Sequence, residues 1–90
     1  MPRPSLEFSK DATKDFVGLD RAVRWQISEK LDWFLDNFDS LFPIPLTGEF
    51  REFFKLRAGD WRIFYKVDWK YRKVIIEYIR NRDKAYKKQK

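Results

Sequence analysis

The stretch from Leu46 to Val67, LTGEFREFFKLRAGDWRIFYKV, constrains the fold more than any other part of the chain. Two runs suited to β-structure, Phe50 to Arg57 and Asp60 to Val67, are separated only by Ala58 and Gly59, which predicts a tight hairpin. In the second run Trp61, Ile63, Tyr65 and Val67 share one face at period two, and Arg62, Phe64 and Lys66 share the other. In the first run Arg51, Lys55 and Arg57 alternate with Phe50, Phe54 and Leu56. Such a hairpin joins a packed side to a cationic one.

The segments on either side supply the partners for the packed face. Ser5 to Ser9 alternates Leu6 and Phe8 with polar residues, as a short half-buried strand does. Ser9 is a good N-cap, Asp11 favours the first helical turn, and Ala12, Phe16 and Leu19 form an apolar stripe that Gly18 should end. Asp20 can cap a second helix in which Val23, Ile27, Leu31, Phe34 and Phe38 recur at spacings of three and four. Trp25 and Trp33 lie off that stripe, and core or rim packing is the simpler expectation for them than a binding surface.

Between Asp36 and Gly48 helical periodicity is lost, and Pro43 and Pro45 around Ile44 force an extended connection. After the hairpin, DWKYR (Asp68 to Arg72) makes a loop and KVIIEYIR (Lys73 to Arg80) a third strand. Its apolar residues fall on both faces, Val74, Ile76 and Tyr78 against Ile75 and Ile79, which predicts a central, doubly covered strand. The expected fold class is α+β: a β-α-α-β-β-β domain over 1–90, with two N-terminal helices packed on a mainly antiparallel sheet and residues 84–90 as a mobile basic tail.

Ninety residues make one small domain, whose core must be dense, and the 19% aromatic content supplies that bulk. With no cysteine and no histidine, disulfide frameworks and the usual zinc constellations are excluded, and no metal or other cofactor is expected. The amino terminus lacks an apolar signal-like region and no run is long enough to span a bilayer, which predicts a cytoplasmic protein. Charge is unevenly placed: residues 1–49 carry six Lys or Arg against nine Asp or Glu, a balance of −3, while 50–90 carry fourteen against five, +9. A polyanion such as nucleic acid fits that asymmetry, and so does a solvated surface with a basic tail.

The familiar nucleophilic triads are excluded by composition, yet one route to catalysis stays open. RNA carries its own nucleophile, the 2′-hydroxyl, so cleavage needs only in-line positioning, a base, an acid and cations around the transition state. Arginine and lysine on a rigid sheet suit the last task.

The run KLRAGDWRIFYKVD, Lys55 to Asp68, preceded by Leu46, Thr47 and Gly48 and followed by a strand ending in an Arg-x-x-x-Tyr segment, resembles the RelE/ParE family of bacterial toxins. Trp61 replaces the tyrosine usual in that motif, and the order of elements is similar over nearly the whole chain. The resemblance to the RelE-like mRNA interferases implies that Lys55 and Arg57 hold the RNA backbone and that Arg62 stabilises the transition state. It also implies Arg82 as acid or phosphate ligand and Tyr86 as base; Lys66, which alternation puts on the face of Arg62, and Arg80, which shares a face with Arg82, are expected with Lys84 to extend the RNA-binding surface. A phenol of ordinary pKa, about 10, is a poor base at neutral pH, but neighbouring cations favour the phenolate. A histidine common in the terminal segment of such enzymes is replaced here by Asn81 or Asp83.

Blander roles stand beside these. Arg57 and Arg62 can simply pair with Asp60 and Glu52, Tyr65 and Tyr78 fit sheet packing better than base stacking, and Tyr86 can dock the C-terminus. The resemblance implies a ribosome-dependent endoribonuclease acting on mRNA, a ParE-like inhibitor of DNA gyrase, or a relative that only binds its antitoxin. Each implies a cognate antitoxin partner, with operator DNA reached only through it.

Overall fold

The computed structural model describes residues 3–41, 44–45 and 53–81. The chain runs through strand β1 (Ser5–Phe8), helices α1 (Lys10–Val17) and α2 (Arg21–Asp36), a single 3₁₀ turn (Phe38–Ser40), and strands β2 (Ile44–Pro45), β3 (Phe54–Ala58), β4 (Trp61–Asp68) and β5 (Lys73–Asn81). The strands form one mixed sheet in the order β1-β5-β4-β3-β2, in which β1 runs parallel to β5 and every other pair is antiparallel. The expected order of helices and long strands is therefore present. The extended connection ahead of the hairpin adds one element, because Ile44 and Pro45 pair with Lys55 and Phe54 as a two-residue edge strand.

Both helices begin where their side-chain caps predict. Ser9 Oγ accepts from the Ala12 N–H at 3.0 Å and Asp20 Oδ1 from the Val23 N–H at 3.0 Å, each satisfying an otherwise orphaned donor of the first turn. Ile27, Leu31, Phe34 and Leu35 of α2 are buried, with Phe38 beyond it, against Ile63 and Tyr65 of β4 and Val74, Ile76 and Ile79 of β5. Tyr65 is the largest fully buried side chain, its ring 4.9 Å from Phe34 and 5.5 Å from Phe54. Trp25 and Trp33 are corrected: they are 67% and 45% exposed and take no part in this core.

The hairpin turn lies one residue later than expected. Ala58 is a buried strand residue paired with Trp61, so the two-residue turn is Gly59-Asp60. Gly59 has φ +61 while Asp60 does not take a positive φ, which is the pattern of a type II′ turn with glycine first. A side chain at Gly59 would also strike Gln26 Nε2, so the turn presses directly on α2.

Strand β5 carries the larger correction. Along β4, Phe64 pairs with Tyr78 but Tyr65 pairs with Ile76, leaving Glu77 as an extra residue, a β-bulge. The bulge reverses the inward phase: Val74 and Ile76 face the core before it and Ile79 after it. The run that reads as apolar on both faces is thus an inward set interrupted by one residue, with Ile75 and Tyr78 on the other face.

The first part of β5 pairs with β1 as far as Phe8↔Ile76. Beyond it α1 takes over: the Ser9 N–H donates to the Ile76 carbonyl (2.8 Å), Ser9 Oγ donates to the Glu77 carbonyl (3.0 Å), and the Ile79 N–H donates to Asp15 Oδ2 (3.0 Å). Among the described residues no helix is long and apolar enough to cross a membrane.

Burial pushes the Tyr65 phenol up to about 12, above its value near 10 in the unfolded chain. Between these values the unfolded chain has lost a proton that the folded one keeps, so stability falls as pH rises from about 10 to about 12, by at most roughly 2–3 kcal/mol from this group. Urea unfolding at pH 9, 10.5 and 11.5 should show a shallower alkaline decline in Tyr65→Phe than in the wild type. Equal slopes would remove Tyr65 as the cause.

Candidate nucleic-acid interface

Cross-strand partners share a face, so the register alone assembles the candidate site. Arg57 of β3 is opposite Arg62 of β4, and Arg62 is opposite Arg80 of β5, which sets three guanidinium-bearing residues in a row across three strands on the face turned away from the helices. With strands about 4.8 Å apart, the row spans roughly 10 Å at the backbone. Lys55 is on the same face, opposite Phe64, and so is Lys66. Five of the eight residues assigned from the sequence are therefore brought to one surface. Arg82, Lys84 and Tyr86 lie outside the described residues.

Like charges placed opposite one another repel, and the side chains relieve this by turning to different partners. Arg80 Nη1 forms an ion pair with Asp15 Oδ2 of α1 and donates to the Ile79 carbonyl at 3.0 Å. Arg62 Nη1 folds back on the turn, donating to the Gly59 carbonyl at 3.2 Å and to the Trp61 carbonyl at 3.3 Å. Arg57 is exposed, and neither it nor Lys55 has an ion-pair or hydrogen-bond partner among the described residues. The pairing of Arg57 or Arg62 with Asp60 does not form; Glu52 lies outside the described residues.

Aromatic rings border the cations. Phe53 and Tyr78 meet at 6.0 Å between centroids, Lys66 Nζ lies 4.8 Å from the Phe53 ring, and the Arg80 guanidinium lies 5.0 Å from the Tyr78 ring. Lys66 is also held 3.9 Å from Glu77, the bulge residue. Tyr65 and Tyr78 thus separate: the first is core, while the second belongs to the cationic face. Chemically the face offers phosphate ligands on a rigid sheet with rings beside them, a combination suited to a nucleic-acid backbone.

Two comparisons place this architecture among known proteins. A family model described as the ParE toxin of type II toxin–antitoxin systems matches residues 6–86. The chain belongs to the RelE/ParE family of type II toxins. Among solved structures, a RelBE toxin–antitoxin complex from Mycobacterium tuberculosis is similar with a TM-score of 0.78 and 21% identity, over 89% of this chain and 99% of that one. The isolated Escherichia coli RelE toxin is similar with a TM-score of 0.70 and 23% identity, over 97% and 99%. A YoeB/ParE toxin from Agrobacterium tumefaciens gives 0.69 and 15%, over 86% and 96%. No curated protein sequence matches.

Sequence reasoning missed Asp15. It sits 65 residues before Arg80 and carries no local signal beyond its place on a short helix, yet it serves both the Ile79 N–H and the Arg80 guanidinium. Removing it strands a partly buried donor and a cation, so Asp15→Ala should cost about 1–3 kcal/mol in urea unfolding, and Asp15→Asn, which keeps an acceptor, should recover part of that. If Asp15→Ala unfolds at the wild-type midpoint, water replaces the carboxylate without loss.

Proposed function

We propose that this toxin is a ribosome-dependent endoribonuclease that cleaves mRNA. The observation that carries the reading is the Arg57–Arg62–Arg80 row, three arginines in register on one rigid face with Lys55 alongside. Crowded cations cost the empty protein stability, and an anion with several oxygens relieves them. A phosphate passing through a pentacoordinate transition state is such an anion.

In this mechanism Lys55 and Arg57 hold the backbone on either side of the scissile phosphate. The 2′-oxygen attacks phosphorus in line, the O2′–P bond forms as the P–O5′ bond breaks, and the products are a 2′,3′-cyclic phosphate and a 5′-hydroxyl. Arg62 leaves the turn carbonyls to meet the charge developing on the phosphoryl oxygens; those contacts, at 3.2 and 3.3 Å, are long enough to exchange readily for a charge-assisted bond. Tyr86 takes the 2′-hydroxyl proton, and Arg82 binds the phosphate or protonates the leaving oxygen. Lys66, Arg80 and Lys84 extend the track for the backbone.

A second reading, inhibition of DNA gyrase without catalysis, is favoured by two observations: the matching family model is that of the ParE toxin, and the chain has no histidine for its terminal segment. In either reading a cognate antitoxin is the resident partner, as in the toxin–antitoxin complexes that share the fold. It would cover the cationic face with an acidic and apolar segment, and bring operator DNA to the complex.

Primer extension on cellular mRNA after a short pulse of expression decides between them. The wild type should produce new 5′ ends inside translated codons, and Arg62→Ala and Tyr86→Phe should produce none. Arg62→Ala should also abolish growth arrest while keeping antitoxin affinity within about tenfold, at most roughly 1.4 kcal/mol. Growth arrest without new ends would favour gyrase.

A further inference from the structure

The cationic face does not end at the hairpin. Arg57, the outermost arginine of the row, also lines a groove of about 310 Å³ between β3 and α2, together with Ala58, Gly59, Gln26, Glu29, Lys30 and Trp33. That volume lies at the lower end for ligand clefts, about 300–1,000 Å³, and suits a single planar group rather than a large ligand. Gln26, Lys30 and Trp33 follow one another at spacings of three and four, so α2 presents them along one side.

Each of these groups has the chemistry to hold a nucleotide. The Trp33 indole is 45% exposed, which leaves surface for a flat partner, and Lys30 Nζ lies 4.1 Å from its ring centroid. The Gln26 amide is held against the Gly59 turn at the groove floor, and an amide pairs with the donor and acceptor edge of a base. Arg57 and Lys30 supply two cations for the flanking phosphates against the single carboxylate of Glu29. Trp25 provides the contrast: it is more exposed, on the same helix, and does not line the groove.

Building on the RNA-cleaving reading, we propose that the Trp33–Arg57 groove is a nucleobase-binding subsite that takes an unstacked base from the RNA strand flanking the one on the sheet. The strand would cross the Arg57–Arg62–Arg80 row and turn at Gly59, and its next base would stack on Trp33 with Gln26 at its edge. The groove thereby selects for single-stranded substrate, because a paired base cannot enter it.

Binding of the full chain to a 2′-O-methyl single-stranded RNA oligonucleotide, which cannot be cleaved, tests this by fluorescence anisotropy. A matched oligonucleotide with abasic sites separates base contacts from phosphate contacts. Trp33→Ala should weaken binding of the intact strand about tenfold, in the range of base–aromatic stacking, while leaving its salt dependence and its affinity for the abasic strand unchanged. Trp33→Phe should recover most of the loss, and Trp25→Ala should bind as the wild type does. Equal binding by Trp33→Ala and wild type, or equal losses in Trp33→Ala and Trp25→Ala, would overturn the subsite while leaving the RNA reading intact. A loss in antitoxin affinity but not in RNA affinity would overturn it too, making the groove a protein contact. A wild type that does not bind the free strand overturns the subsite even if it cleaves mRNA on the ribosome; if it also leaves mRNA uncut, the RNA reading fails as well.

Discussion

The side chain of Ser9 and the bulge at Glu77 are the constraint on which the rest of the molecule depends. Ser9 Oγ accepts from Ala12 and donates to the Glu77 carbonyl, so one hydroxyl both starts α1 and satisfies the carbonyl that the bulge removes from regular pairing. Asp15, two turns along the same helix, takes the Ile79 N–H just beyond. Parallel pairing with β1 stops at Ile76, and α1 supplies hydrogen-bonding groups where the strand no longer does. An extra residue in a nine-residue strand is thereby stabilised rather than slipping to another register.

The consequence reaches the opposite face. Without the bulge a period-two strand that buries Val74 and Ile76 would also bury Tyr78 and Arg80, and would turn Ile79 outward. With it, Ile79 joins the core and Tyr78 and Arg80 move to the face that carries Arg62 and Arg57. The arginine row therefore depends on one inserted residue and on the hydroxyl and carboxylate of a helix packed on the other side of the sheet. Core packing and the candidate site share this single device.

Much of this was legible in the residues. Caps at Ser9 and Asp20 are local chemistry, the stripe from Ile27 to Phe38 is a periodicity, and the alternation in Phe54 to Val67 sorts core from cations without reference to anything distant. The parts that were not legible are non-local. A bulge leaves only a phase change in KVIIEYIR, which a doubly buried strand imitates equally well. The partner of Arg80 is 65 residues away, and Trp25 and Trp33 are off the apolar stripe in a way that suits a rim as well as a surface. The sequence does not locate the turn to the residue, because Ala58 is compatible with both strand and turn, whereas the left-handed φ of Gly59 and its contact with Gln26 fix it only in three dimensions.

The partners chosen by the three arginines also grade them by availability. Arg80 is held by a carboxylate, Arg62 by two neutral carbonyls, and Arg57 by nothing among the described residues. A charged acceptor holds a guanidinium more strongly than a neutral one, so the described contacts fix Arg80 most firmly and Arg57 least. Arg80 keeps its place as a fixed positive charge whose position is set by Asp15. Its charge is offset by that carboxylate, so the less engaged cations of the face are those nearer the hairpin, Arg62 and Arg57.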